Sequence, residues 1–250
     1  MNEFVAVVGI AALAAGLTYL GVLAAERFDV PHRLVSGALQ FAAGIITALV
    51  AVTLMPPAMQ NGPYTLNLLA FFVGGVLYVL LEHFTKQAQA ERMANAQAPG
   101  AAGSTRISLG LFVGILVDLF VDGVVIGIGA TLDLLTGLVV ALGLALSTAP
   151  LAFVAIVTAK RQGVLAEHRR LLGWMFVAAL MAGALLGYLV LQNQPLEVRM
   201  VLVAMASGFL ITTVVQGIIP EANREGEPGF AGVIYIGGLS LYALMSLALK

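Results

Sequence analysis

Long apolar runs separated by short polar breaks dominate the chain. Eight of them approach the roughly 20 residues that an α-helix needs to cross the hydrocarbon core of a bilayer. They lie at about 4–24, 34–55, 65–84, 108–129, 134–159, 171–191, 197–218 and 230–249. Leucine, valine and alanine recur too continuously for the alternating strands of a membrane barrel. The pattern therefore predicts an all-α, polytopic membrane protein with eight transmembrane helices.

Lysine and arginine gather in alternate breaks between these runs. The breaks after the first, third, fifth and seventh runs hold ten of the chain's 12 basic residues, and only Arg199 and Lys250 lie on the other side. Because cytoplasmic loops retain positive charge, this distribution predicts that both termini lie outside the cytoplasm. No targeting signal is evident, and we expect an integral protein of a bacterial inner (plasma) membrane.

Composition restricts the partners. Of the 250 residues, 60% are hydrophobic and only 10% are charged, so the expected partner is the lipid bilayer rather than water. The formal net charge of −1 gives no basic excess for nucleic acid, and the chain has no cysteine to form disulfides or thiolate metal sites. The spans also lack a Ser/His or Cys/His pair, so we do not expect an enzyme.

The longest polar stretch, at 85–107, divides the predicted helices into groups of three and five. It is rich in glutamine, alanine and glycine and is typical of a flexible cytoplasmic linker. No stretch indicates a folded soluble domain. The sequence therefore predicts a single transmembrane domain over 1–250, with function in the membrane or at its faces.

Two carboxylates lie deep within the fourth predicted span. Asp118 and Asp122 are four residues apart, so a helix places both on one face, one turn apart. An ionisable group near the bilayer centre costs at least about 2.5 kcal/mol, which makes it a functional candidate. The pair could bind a divalent cation, share a proton, or hold helices together. Nearby Gly123, Gly127 and Gly129 favour close approach of another helix.

Hydroxyl and amide groups in other spans could complete a site. Ser147 and Thr148 precede Pro150, which removes a helical hydrogen bond and frees a carbonyl one turn earlier. Gln216 lies near the end of the seventh span. Considered singly, each of these side chains more often forms an ordinary hydrogen bond between helices.

Two further segments of the chain carry a resemblance to a known family. They are Phe41-Ala-Ala-Gly-Ile through Leu54-Met-Pro-Pro-Ala, and Gln216-Gly-Ile-Ile-Pro-Glu-Ala-Asn-Arg-Glu-Gly. The first is similar to the second span, and the second to the end of the seventh span, of the ZIP family of divalent metal transporters, in particular its GufA-like bacterial branch. Eight spans, outside termini and a variable loop after the third span are also the family's layout. The resemblance implies a ZIP-like bundle that transports a divalent metal, typically zinc, toward the cytoplasm.

The family's metal-binding motifs are altered in this chain. Asp118 and Asp122 replace the usual histidine and glutamate of the fourth span, whereas Leu151 replaces the carboxylate of the fifth span. The resemblance thus implies one reduced site, in which Asp118 and Asp122 are the main ligands. Its secondary oxygen donors would be Ser147, Thr148 and Gln216. Oxygen donors suit Mn²⁺, Mg²⁺ or Fe²⁺ better than Zn²⁺, although the sequence leaves the choice among these four undecided.

Three functions follow from these features. The leading hypothesis is a divalent cation carrier without a tightly bound cofactor, and the glycine-lined helices make a homodimer reasonable. One alternative is a ZIP-fold membrane protein that has lost transport and acts through binding or regulation, with a structural Asp pair. Another alternative is a proton-coupled carrier of a different solute, in which one of the two carboxylates titrates.

Overall fold

A computed structural model describes residues 2–28, 31–96, 109–224 and 229–249. Regular structure in these ranges is entirely helical. The α-helices are Asn2–Arg27, His32–Ala48, Met55–Gln60, Tyr64–Ala96, Leu109–Leu132, Leu134–Arg161, Ala166–Leu191, Leu196–Thr212, Ile219–Ala222 and Ala231–Ala248. Two π-helical turns, Leu49–Leu54 and Thr213–Ile218, interrupt this pattern.

Eight segments of the described chain are long and apolar enough to cross a membrane, which confirms the predicted number of spans. We refer to them as spans 1 to 8. They are Glu3–Arg27, Arg33–Gln60, Tyr64–Gln87, Phe112–Leu132, Leu134–Arg161, Ala166–Leu191, Leu196–Ala222 and Ala231–Ala248. Most extend a few residues beyond the apolar runs because the flanking polar residues continue the helices.

The predicted linker begins as helix. The helix of span 3 continues to Ala96, so residues 85–96 of the predicted linker are helical. Residues 86–96 consist mainly of glutamine, alanine, glutamate, arginine, lysine and methionine, which favour helix, and the first proline comes only at Pro99. Residues 97–107, the rest of the predicted linker, lie outside the described ranges.

Spans 2 and 7 share an unusual build. Each changes from an α-helix to a six-residue π-helical turn and then to a short α-helix whose second residue is proline. At the end of each turn a backbone N–H bonds the carbonyl five residues earlier, Met55 to Val50 and Ile219 to Val214. Proline lacks an N–H, so Pro220 leaves the carbonyl of Gln216 without its usual helical donor. π-helical turns of this kind are frequent at functional sites.

The most extensive contacts between spans come in equivalent pairs. Span 1 packs on span 5 as span 6 packs on span 4, and span 3 packs on span 7 as span 8 packs on span 2. If span 1 is exchanged with span 6, span 2 with span 7, span 3 with span 8 and span 4 with span 5, the same pairs of spans remain in contact. Since consecutive spans run in opposite directions, the exchanged spans are antiparallel. We interpret the pattern as an inverted repeat, with spans 4 and 5 at its centre.

Glycine allows the closest helix pairs to form. A Cβ atom on Gly123 would clash with the carbonyl oxygen of Leu180 in span 6, and one on Gly127 would clash with that of Ala184. The contact is reciprocal, because a Cβ on Gly183 would meet the carbonyl of Phe120. This confirms the prediction that another helix approaches span 4 at Gly123 and Gly127. Small residues are the usual means of helix packing in lipid.

Candidate functional site

The Asp pair lies on the inner side of span 4. Asp122 is 2% exposed, and its Oδ1 atom is buried without a hydrogen-bond partner among the described residues. Asp118, one helical turn away, is half-buried. A buried carboxylate oxygen that lacks a partner loses the stabilisation that water would give it. Such an atom marks a position where a cation or a proton would be stabilising.

Span 7 contributes the direct neighbour of Asp118. Thr213 Oγ1 lies 3.3 Å from Asp118 Oδ1 and 3.1 Å from the backbone oxygen of Phe209. One hydroxyl proton is therefore shared between a carboxylate and a helix carbonyl, and neither contact is short. Thr213 is the first residue of the π-helical turn, so the irregular backbone of span 7 lies directly beside the carboxylate.

Tyr78 of span 3 is a further polar side chain beside the π-helical turn of span 7, and no motif in the sequence indicated it. A Cβ atom on Gly217, within this turn, would lie 2.7 Å from Tyr78 Oη. The Tyr78 ring packs edge-on against Phe209, with the ring centroids 5.2 Å apart. Gly217 thus leaves room for a tyrosine hydroxyl at the turn that begins with Thr213, the neighbour of Asp118.

The three predicted secondary donors occupy other surroundings. Ser147 is buried and donates to the carbonyl of Leu144, 2.8 Å away in its own helix. Thr148 Oγ1 lies 2.8 Å from Thr18 Oγ1 of span 1 and 3.4 Å from the carbonyl of Ala145. The side chain of Gln216 is exposed on the surface of the chain. Within the described residues, none of these three side chains is hydrogen-bonded to the Asp pair.

Polar contacts also join spans 2 and 7 beyond the site. The Nε2 atom of Gln40 donates to Oδ1 of Asn223 over 2.8 Å, and Ser36 Oγ donates to the carbonyl of Ala222 over 2.5 Å. Gln40 and Ser36 are buried. These bonds fasten the end of span 7 that follows the π-helical turn to the beginning of span 2.

The polar contact that the described residues give the pair is the hydroxyl of Thr213. Across the described part of the chain, no three histidine, cysteine, aspartate or glutamate side chains come together as a metal-binding group. The structure thus assembles two carboxylates, one of which contacts the Thr213 hydroxyl. This set can bind a hard cation weakly or carry a proton.

Comparisons with protein-family models and with curated proteins find no match for this chain. The fold by itself defines the class: in its described residues, this is a helical protein with eight helices long and apolar enough to span a membrane. Its function has to be argued from the site.

Proposed function

We propose that the protein is a ZIP-like carrier that moves a divalent cation toward the cytoplasm through Asp118 and Asp122. The observation that carries this proposal is the buried, unpartnered Oδ1 atom of Asp122, one helical turn from a second carboxylate. Burial of two carboxylates without an ion pair is expensive in a membrane. A bound divalent cation would offset this cost, because both carboxylates would then face an opposite charge.

The repeat pattern supports transport by alternating access. Carriers built from inverted repeats bind their substrate at the repeat interface, commonly beside helices with interrupted hydrogen bonding. Asp118 lies on a central span and contacts the π-helical turn of span 7. We infer that a shift of spans 2 and 7 against spans 4 and 5 would open the Asp pair to one side or the other. The hydrogen bonds of Gln40 and Ser36 join span 2 to span 7, so these two spans would keep them while moving as one unit.

The orientation in the membrane, the direction of transport and the preferred ion are inferred from the types of residue in the sequence. The basic breaks support termini outside the cytoplasm and a bacterial inner membrane, and the ZIP-like segments support that family's direction of transport. An all-oxygen ligand set favours Mn²⁺, Mg²⁺ or Fe²⁺ over Zn²⁺.

Cation uptake into liposomes reconstituted with the purified protein tests the proposal. We expect Asp122→Asn and Asp118→Asn each to reduce uptake of the preferred ion by more than about tenfold, since each removes one of two charged ligands. The matched control is Asp133→Asn. Asp133 is exposed and caps the helix of span 5 by accepting a hydrogen bond from the Thr136 amide, and asparagine caps equally well. Unchanged uptake in both pair variants, at equal protein incorporation, would refute the proposal.

A proton-coupled carrier of another solute is the second candidate. It is favoured by the small number of ligands, since the described part of the chain offers the pair no third acidic or histidine side chain. In this case one carboxylate would hold a proton while the other stays charged. Proton movement in the same liposomes, driven by an organic solute and insensitive to every divalent cation, would select this function.

A further inference from the structure

A groove opens between spans 1 and 6, away from the Asp pair. Its cavity has a volume of about 340 Å³. The lining residues are Tyr19, Val22, Leu23, Glu26, Arg27 and Arg170. Spans 1 and 6 come close here because span 6 has a glycine: a Cβ on Gly173 would lie 2.8 Å from a methyl group of Val22. The groove is thus part of the packing between the two repeats.

The mouth of the groove carries two cations that form no ion pair within the described residues. Glu26 is already neutralised, because Arg169 Nε and Nη2 bind its two carboxylate oxygens over 2.6 and 2.8 Å. Arg27 and Arg170, which flank this pair in sequence, are exposed and form no ion pair within the described ranges. Two guanidinium groups are therefore left at one opening. This is the donor arrangement that binds a phosphate group.

The groove becomes apolar with depth. Arg27, Leu23 and Tyr19 succeed each other at four-residue intervals, so each lies one helical turn deeper than the last. On span 6, Trp174 lies one turn below Arg170, is 59% exposed, and packs on Tyr19 with ring centroids 5.1 Å apart. Tryptophan and tyrosine favour the zone between headgroups and acyl chains. The groove therefore matches an amphiphile, with a charged end at the surface and a hydrocarbon end in the bilayer.

We propose that this groove binds one anionic phospholipid of the surrounding leaflet. Its phosphate is held by Arg27 and Arg170, and one acyl chain lies along Leu23, Tyr19 and Trp174. The mouth belongs to the same membrane face as the other basic breaks, where anionic lipids concentrate if that face is cytoplasmic. Basic pockets between transmembrane helices bind such headgroups. This inference is independent of the function proposed for the Asp pair.

Fluorescence of Trp174 tests the proposal directly, because it is the chain's only tryptophan. The purified full-length protein is reconstituted in phosphatidylcholine vesicles that contain a fixed fraction of brominated phosphatidylglycerol or, separately, brominated phosphatidylcholine. Bromine quenches tryptophan on contact. We expect stronger quenching by the brominated phosphatidylglycerol, since that lipid would be retained beside Trp174.

Variants identify the groups responsible. Arg27→Gln/Arg170→Gln should reduce the preference for phosphatidylglycerol by about five- to thirtyfold, the effect of one to two basic residues near a lipid phosphate. The matched control, Arg33→Gln/Arg224→Gln, removes two exposed arginines from the same face and should retain the preference. The native emission maximum of Trp174 verifies that each variant keeps the local fold.

Three results would overturn the proposal. The first is equal quenching by the two brominated lipids. The second is an equal loss of preference in both double variants, which would indicate only a general attraction of the basic face. The third is an undiminished preference in Arg27→Gln/Arg170→Gln, which would assign the retention of the lipid to other groups.

Discussion

The π-helical turns of spans 2 and 7 occupy equivalent places in the repeat and have opposite chemistry. In span 7, Thr213 opens the turn beside Asp118, and Gly217 leaves room for the hydroxyl of Tyr78. In span 2, the first position is Leu49, and the fifth is Thr53, which shares a 2.9 Å hydrogen bond with Tyr242 of span 8. The π-helical turn thus lies beside a carboxylate in span 7 and beside an uncharged pair of hydrogen-bonded hydroxyls in span 2.

The central spans show the same asymmetry. A Cβ on Gly143 of span 5 would lie 2.3 Å from an atom of the Tyr242 ring and 3.0 Å from Leu49. The Tyr242 ring therefore occupies the space between spans 2 and 5 at the level of Leu49. In span 4, the side chain beside the π-helical turn of span 7 is instead the carboxylate of Asp118. We conclude that the inverted repeat accounts for which spans pack together, whereas the proposed function belongs to the half that contains Thr213.

The largest expected effect concerns the packing that both halves share. Gly123→Ala and Gly21→Ala each place a methyl group against a backbone carbonyl, of Leu180 and Ala149 respectively, and should each lower the free energy of unfolding by about 1–3 kcal/mol. Gly114→Ala, in the same helix as Gly123, has no described atom within 4 Å of the new methyl and should not destabilise. Unfolding in mixed detergent micelles measures this. If only one of the two alanine variants lost stability, the packing of span 4 on span 6 and that of span 1 on span 5 would not be equivalent.

The two tyrosines allow one substitution to be compared in both halves. Tyr242→Phe removes the hydrogen bond to Thr53 and should cost about 1 kcal/mol of stability while cation uptake stays unchanged. Tyr78→Phe removes the hydroxyl beside the π-helical turn of span 7 and should reduce uptake by about two- to tenfold with little loss of stability. Unfolding and liposome uptake are measured on both variants. The reverse pattern would locate the functional half in spans 2 and 8.

A smaller change isolates the contact of span 7 with the carboxylate. Thr213→Val keeps the shape of the side chain and removes a hydrogen bond of 3.3 Å whose proton is shared with Phe209. Because the bond is long and shared, we expect only about a two- to fivefold loss of cation affinity. Leu49→Val, at the equivalent position of span 2, is the control and should leave affinity unaffected. Equal losses in both variants would show that the turns, and not the hydroxyl, determine affinity.

The smallest effect should come from the ion pair that joins spans 1 and 6. Glu26 and Arg169 are half-buried, with 23% and 12% of their side chains exposed, so solvent screens their attraction only in part. A double-mutant cycle with Glu26→Gln and Arg169→Gln should give a coupling energy of about 1 kcal/mol or less, measured by unfolding. Arg169 also donates to the carbonyl of Val164, so its single variant should cost more than that of Glu26. Equal costs would argue against a role for this carbonyl contact.

Local features of the sequence predicted most of the fold. Apolar runs gave the eight spans, the four-residue spacing placed Asp118 and Asp122 on one face, and Gly123 and Gly127 indicated a close helix neighbour. These predictions hold because each depends on the geometry of a single helix. The helical start of the linker was missed because its composition was read as flexible although most of its residues favour helix.

The neighbours of the Asp pair could not be predicted in the same way. Ser147 bonds a carbonyl of its own helix, as serine and threonine in helices commonly do, and so it does not reach across to another span. Which span lies beside Asp118 depends on the packing of the whole bundle. The similar ends of spans 2 and 7, where a proline follows three residues after Thr53 and Gly217 respectively, were a signal that could have indicated the repeat.

The helix of span 3 is longer than a membrane requires. Its 33 residues correspond to about 50 Å, whereas the hydrocarbon core measures about 30 Å. If the helix tilted as one body about its first residue, its far end at Ala96 would move by about 0.9 Å for each degree of tilt. Span 3 also carries Tyr78 and packs on span 7. A tilt of span 3 that accompanied a change beside the carboxylates would therefore displace Ala96 further than it displaces Tyr78.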